Sequence, residues 1–229
     1  MTIVRMRDFY AQYFRKVEGL CMARSSKEAQ RALLAIALGQ GGYFTAKQAR
    51  ESGYGYSHLD YHVSVGNFER VEQGLYRMMD VPISEYDDLM RLSLWSRNRN
   101  DEPQAVVSHD TALHLHEMGE LLTNAVHLTV PMSFRKEAPF GCVLHQAELT
   151  RNDTQEWIGF RVTTPLRTLL DATVDAVSEE QLGKAARDAL SRGLIRRDIL
   201  AEVVWGSANY ERLKRVLRGI PGMPSQERS

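Results

Sequence analysis

At 229 residues, with 43% hydrophobic and 25% charged positions, the chain has the composition of a folded protein with room for one large or two ordinary domains. Its longest apolar run, Ala32 to Leu38, is far shorter than the ~20 residues that span a bilayer, which excludes a membrane helix. The formal net charge of zero excludes a uniformly basic coat, yet residues 1–82 hold 11 Lys+Arg against 8 Asp+Glu, and the remainder 18 against 21. Any affinity for nucleic acid must then come from the placement of charge rather than its amount.

The first residues scatter charges and aromatics where a secretory signal needs an unbroken apolar stretch, so a cytoplasmic protein is expected. Cys21 and Cys142 lack CxxC spacing, which suggests neither a zinc ribbon nor a disulfide framework. Residues 1–22 place Phe9, Tyr13 and Val17 four apart on one face of an amphipathic helix. That helix either docks on the following domain or serves as a dimer arm. Ser26 is expected to cap a helix from Lys27 to Leu38, ended by Gly39, Gly41 and Gly42.

Residues 23–82 then read as a winged helix-turn-helix domain. Thr45 caps a helix to about Ser52, and Gly53 stops it. Ser57 and Asp60 have capping-box spacing ahead of a helix from His58 to Val65. In it Leu59 and Val63 face inward, which turns His58, Tyr61 and His62 outward as candidate base contacts. Phe68–Val71 and Leu75–Met78 alternate as the two strands of a wing around Glu72-Gln73-Gly74. Lys47, Arg50, Arg70 and Arg77 are candidate phosphate contacts, the plain alternative being four solvated cations.

A connecting helix and linker are expected over 83–104, with Ser84 and Asp87 as a second capping box and Arg97–Pro103 as an exposed loop. Residues 105–219 read as a small mixed α/β domain. Its elements are an apolar run at Ala105–Val107, the helix HDTALHLHEMG behind Ser108, and strands at Val126–Val130, Cys142–His145 and Trp157–Val162. A helix follows Thr164-Pro165, with Arg167 and Asp171 as an ion pair, another is capped by Ser178 and Gln181, and two more lie near Asp198–Val204 and Asn209–Leu217. Arg212, Lys214, Arg215 and Arg218 form either a solvated helix face or an auxiliary phosphate contact. Residues 220–229 read as a tail.

Only SHDTALHLHE is rich in titratable groups. Asp110 and His114 share one helix face, while His109 and His116 share another, and the two-histidine spacing of a zinc protease is missing. No P-loop, Rossmann or nucleophile-elbow pattern occurs. No catalytic residue, metal or cofactor is expected. The rival readings are a metal-dependent nucleic-acid-processing enzyme and a winged helix that binds protein.

The segments GGYFTAKQARESG, FERVEQGLYRM, VVSHDTALHLHEMGE, VHLTVP and FRVTTPLRTLLDA, in this order over about residues 27 to 190, resemble the AbiE-type antitoxins. These are transcriptional regulators of type IV toxin-antitoxin (abortive-infection) operons. The resemblance implies an α+β protein in which an N-terminal winged helix binds inverted repeats of double-stranded DNA in its own promoter, as a monomer or homodimer, and represses the operon. It implies an antitoxin domain with a helical C-terminal part that neutralises a toxin of nucleotidyltransferase fold, and no enzymatic activity. Lys47 and Arg50 match the first helix of the family motif, His58 to His62 the reading helix, and Arg70 and Arg77 the wing. Glu72-Gln73 depart from the basic residues common at the wing tip.

Overall fold

The computed structural model describes residues 24–120, 124–174 and 177–223. The amphipathic segment 1–22 and most of the expected tail lie outside the described residues. The chain divides into two compact units, one running to Pro103 and taking in Ile158–Phe160, the other comprising Gln104–Trp157 and the chain from Arg161 onward.

In the first unit α1 (Arg24–Gly39) is followed by β1 (Tyr43–Thr45), α2 (Ala46–Glu51), α3 (Tyr56–Ser64), β2 (Phe68–Glu72), β3 (Leu75–Met78) and α4 (Asp87–Trp95). Ser26 lies inside α1 rather than capping it. The three strands form an antiparallel sheet in the order β1-β3-β2. A bulge at Val71, between the pairs Arg70–Tyr76 and Glu72–Leu75, twists the outer strand at the tip of the wing. Beneath it, Phe44 meets Phe68 edge-on at 5.0 Å and stacks on Tyr76 at 5.7 Å, and Leu33, Ala37, Leu59 and Val81 close the same core. Burial of aromatic and branched side chains of this size stabilises by roughly 1.5–3 kcal/mol each. The core thereby fixes α3 against the wing.

Helix α4 and the loop after it, expected as a connection, belong to this first unit. The loop is folded on itself and on α2: Asn98 Oδ1 accepts from the backbone N–H groups of Asn100 and Glu102, and Arg97 pairs with Asp101 at 2.8 Å. The Thr45 hydroxyl donates to Asp101 at 2.6 Å while accepting from the Gln48 N–H, so one side chain both caps α2 and anchors the loop. The expected box at Ser84 and Asp87 does not form. Tyr86 is the N-cap of α4, and the Asp87 carboxylate accepts from Tyr43 instead.

The second unit carries a mixed five-stranded sheet ordered β6-β5-β4-β8-β7, from β4 (Val106–Val107), β5 (Val126–Val130), β6 (Cys142–Gln146), β7 (Thr154–Glu156) and β8 (Arg161–Thr163). The strand expected over 157–162 is instead the turn between β7 and β8 followed by the start of β8, and the turn residues Ile158–Phe160 count with the first unit. Helices α5 (His109–Leu115), α6 (Pro165–Asp171), α7 (Glu179–Ser191), α8 (Arg197–Trp205) and α9 (Glu211–Arg218) complete it. Thr164 caps α6 ahead of Pro165, Arg167 pairs with Asp171 at 2.8 Å, and Ser178 forms a capping box with Gln181. The core runs from Leu113 and Met118 through Leu169, Leu182 and Ala186 to Leu200, Leu213 and Leu217. The fold is α+β, with a winged helix-turn-helix ahead of a mixed α/β unit that ends in helices. Among the described residues no helix is long and apolar enough to cross a membrane.

Candidate nucleic-acid interface

Helix α3 is built to be held from one side. Gly53 adopts φ of +100°, a conformation that costs a side chain dearly, and so turns the chain tightly from α2 towards α3. Gly55, not Ser57, is the N-cap, and the helix begins at Tyr56. Ser57 and Asp60 therefore stand on the helix surface, and the expected capping box is absent. Leu59 is buried and Val63 packs on the same core. Outward stand Tyr56 at 68% exposure, Tyr61 at 60%, and Ser57, His58, Asp60 and Ser64.

The three expected base contacts separate. Tyr61 and His58 are exposed, but His62 is half-buried, its ring stacked on Phe68 at 4.7 Å and its Nδ1 3.0 Å from Asn67 Nδ2. Burial first, and then the neighbouring His58, hold the His62 pKa below its ordinary value. His62 thus braces α3 against the wing rather than projecting from it. His58, Tyr61 and His62 also line a groove of about 680 Å³ whose other walls include Tyr54, Glu28 and Glu51.

The expected phosphate contacts separate too. Arg50 and Arg70 are exposed on α2 and β2. Lys47 is partly buried and donates to the Asn100 carbonyl at 3.1 Å, which places it at the edge of that surface. Arg77 is not available: it is 5% exposed, donates to the Val81 carbonyl at 2.6 Å, lies 3.8 Å from Asp87 and sits over the Tyr43 ring. The alternation that put Arg77 on the wing is real, but β3 is the central strand, covered on both faces. Burial, followed by the bond to Asp87, raises the Tyr43 phenol far above its usual range, so that it stays a donor. At the wing tip Glu72 is paired with Arg91 at 3.0 Å.

The C-terminal cations do not form a free face. Arg212 donates to the carbonyls of Thr173 and Val177, and Lys214 is 6% exposed and bonded to Glu211. Arg215 pairs with Glu179, and Arg218 lies over the Trp205 ring. Arg215 thus ties α9 to α7 and Arg218 ties it to α8, while Arg212 binds the segment ahead of α7 and Lys214 is paired within α9 itself.

The histidine-rich helix yields an arrangement that sequence reasoning missed. His109, on α5, stacks on His145 of β6 at 3.5 Å, and His145 Nε2 lies 3.0 Å from Nδ1 of His127 on β5. The signal was present as alternation in VHLTV and CVLHQ, but only the parallel register of β5 and β6 brings His127 and His145 together. Burial, then His145, His127 and Arg167, push the His109 pKa down to about 3. Ser108 is the N-cap residue of α5 as expected, but its side chain makes no cap hydrogen bond. Its buried hydroxyl accepts from Thr129 and bonds His109 Nδ1, with no solvent access for a nucleophile. His116 donates to the Thr163 carbonyl at 2.7 Å, and burial lowers its pKa. Asp110, His114 and His116 do not converge. Among the described residues no group of three His, Cys, Asp or Glu side chains is placed to hold a metal ion.

No curated protein matches the chain. Among solved structures, the RV2827C protein from Mycobacterium tuberculosis is similar at a TM-score of 0.45 and 14% identity, over 85% of this chain and 72% of that one. Residues 31–78, which run from α1 to the end of the wing, match the model of the family described as "Transcriptional regulator, AbiEi antitoxin". Over that segment, which lies within the first unit, the chain is similar to the AbiEi-type antitoxin transcriptional regulators.

Proposed function

We propose that the chain is a sequence-specific DNA-binding repressor that binds inverted repeats in the promoter of its own toxin-antitoxin operon, as a monomer or homodimer. Its second unit would neutralise a toxin of nucleotidyltransferase fold. The observation that carries the DNA reading is the coincidence of the family match with a unit whose exposed helix α3 is flanked by exposed Arg50 on α2 and Arg70 on the wing. A helix presented to solvent enters the major groove, while cations beside it hold phosphates and set its register. With Arg77 and the α9 cations engaged internally, affinity rests on few phosphate contacts. It should fall with salt along a shallow slope of about 0.9 per contact in a log–log plot.

The test is a mobility shift of a duplex from the gene's own upstream region against a scrambled duplex of equal length, titrated in salt. Preference for the upstream duplex with a measurable salt slope supports the reading. Equal affinity for both duplexes, or no shift at low salt, overturns it. Rescue of growth when the chain is co-expressed with the toxin-like neighbour gene tests the antitoxin half, and failure of the second unit alone to rescue would assign neutralisation to the whole chain.

A further inference from the structure

Base reading by α3 involves a different stripe from the one its histidines suggest, and this inference rests on the DNA-binding reading above. A helix turns by about 100° per residue. With Leu59 and Val63 turned inward, Tyr56, Ser57, Asp60, Tyr61 and Ser64 fall along one continuous edge of the helix, and all five are exposed. His58 and His62 fall along the other edge, beside the groove whose walls include the carboxylates of Glu28 and Glu51, and of the first stripe only Tyr61 borders that groove. Double-stranded DNA carries one negative charge per roughly 1.7 Å of its axis, so that acidic side is the worse one to turn towards a duplex. The N-terminal residues of a recognition helix are also those that reach base edges, and the first stripe begins at the first residue of α3.

Asp60 decides what that stripe can recognise. It is exposed, and among the described residues it has neither a hydrogen bond nor an ion pair, because the helix starts too early for it to serve the cap. A carboxylate only accepts. In the major groove guanine offers acceptors alone, and adenine sets its amino group beside the N7 acceptor, whereas cytosine offers an N4 donor. We infer that Tyr56, Ser57, Asp60, Tyr61 and Ser64 form the reading stripe, with the Asp60 carboxylate accepting from the N4 amino group of a cytosine. Tyr61 supplies a ring for a thymine methyl. The Ser64 hydroxyl already donates to the Tyr61 carbonyl at 2.7 Å and keeps its lone pairs for a base donor.

The experiment is selection from a random-sequence duplex library by the full chain and its Asp60→Ala, Asp60→Asn and His58→Ala variants. The wild type should enrich a motif with a fixed C·G pair in each half-site. Asp60→Ala should lose discrimination at that pair by roughly 5- to 150-fold, while binding random DNA more tightly because a carboxylate near the phosphates is gone. Asp60→Asn should move the preference towards adenine, whose N6 and N7 suit an amide. His58→Ala should leave the motif intact. A wild-type motif that both Asp60 variants reproduce unchanged, or that His58→Ala erases, overturns the inference while leaving DNA binding in place. A wild type that enriches no motif overturns the DNA reading itself and this inference with it.

Discussion

The Tyr43 hydroxyl donates to the Asp87 carboxylate at 2.5 Å, joining the first strand of the wing sheet to the start of α4. The other oxygen of Asp87 lies 3.8 Å from the Nε of buried Arg77. Among the described residues Asp87 is the one counter-charge of a guanidinium that has left water, and removing one partner of such a pair is costly because the other stays buried and charged. Asp87→Ala should destabilise the first unit by about 3 kcal/mol, read as a lower urea midpoint at unchanged slope. Tyr43→Phe, which keeps the charge pair, should cost about 1 kcal/mol.

Arg70 and Arg77 are close in sequence and opposite in role. Arg70→Ala and Arg50→Ala should each weaken binding to every duplex alike and reduce the salt slope by about 1, with the thermal midpoint nearly unchanged. Arg77→Ala should instead lower the midpoint. A salt slope that fell with Arg77→Ala in protein still fully folded would show that the buried guanidinium reaches DNA after all.

Stability of the second unit should depend on pH through His109. Its pKa is pushed down to about 3 in the folded chain, while the unfolded imidazole titrates near 6.5. Above about 6.5 both states hold a neutral ring and the contribution is constant. Below it the unfolded chain binds a proton that the folded one refuses, so stability falls as pH drops towards 3, by at most about 1.4 kcal/mol per pH unit. Urea unfolding at several pH values between 7.5 and 5 should show this loss. His109→Phe, which keeps a ring on His145, should flatten it without abolishing it, since buried His116 is shifted in the same direction.

Gly159 tests the part of the hairpin turn that counts with the first unit. Its φ is +78°, and an added Cβ would lie 3.0 Å from the Met90 side chain and 3.2 Å from the Gly39 carbonyl. Gly159→Ala should cost about 1–3 kcal/mol through strain, with Met90 forced to shift. Gly141, also at positive φ but with open space around it, is the control that isolates the backbone term.

Local chemistry was legible wherever a short window decides it. Thr45 with Gln48, Thr164 with Pro165, and Ser178 with Gln181 cap helices as their spacing implies, because a cap needs only a side-chain oxygen and the N–H three residues on. The same rule failed at Ser57 with Asp60 and at Ser84 with Asp87. There the N-cap lies two residues away from the expected one, at Gly55 and at Tyr86, and Asp87 has the stronger claim of Tyr43 and Arg77. Spacing names a possible cap, and competing partners decide whether it is used.

The sequence by itself determined the order of helix, turn, helix and hairpin, the inward turn of Leu59 and Val63, and the absence of any bulk positive charge, since these depend on periodicity and composition alone. Only the tertiary structure decided which polar side chains remain for a partner. Arg77 is withdrawn because β3 is the middle strand of its sheet. His62 is withdrawn by Phe68, and the α9 cations by carbonyls, carboxylates and Trp205, whereas Asp60 is released because α3 begins at Tyr56. The physical reason is common to all of them. A charged or aromatic side chain is spent wherever long-range packing first offers it a partner, and strand order and register, which set those offers, are not written in any local window.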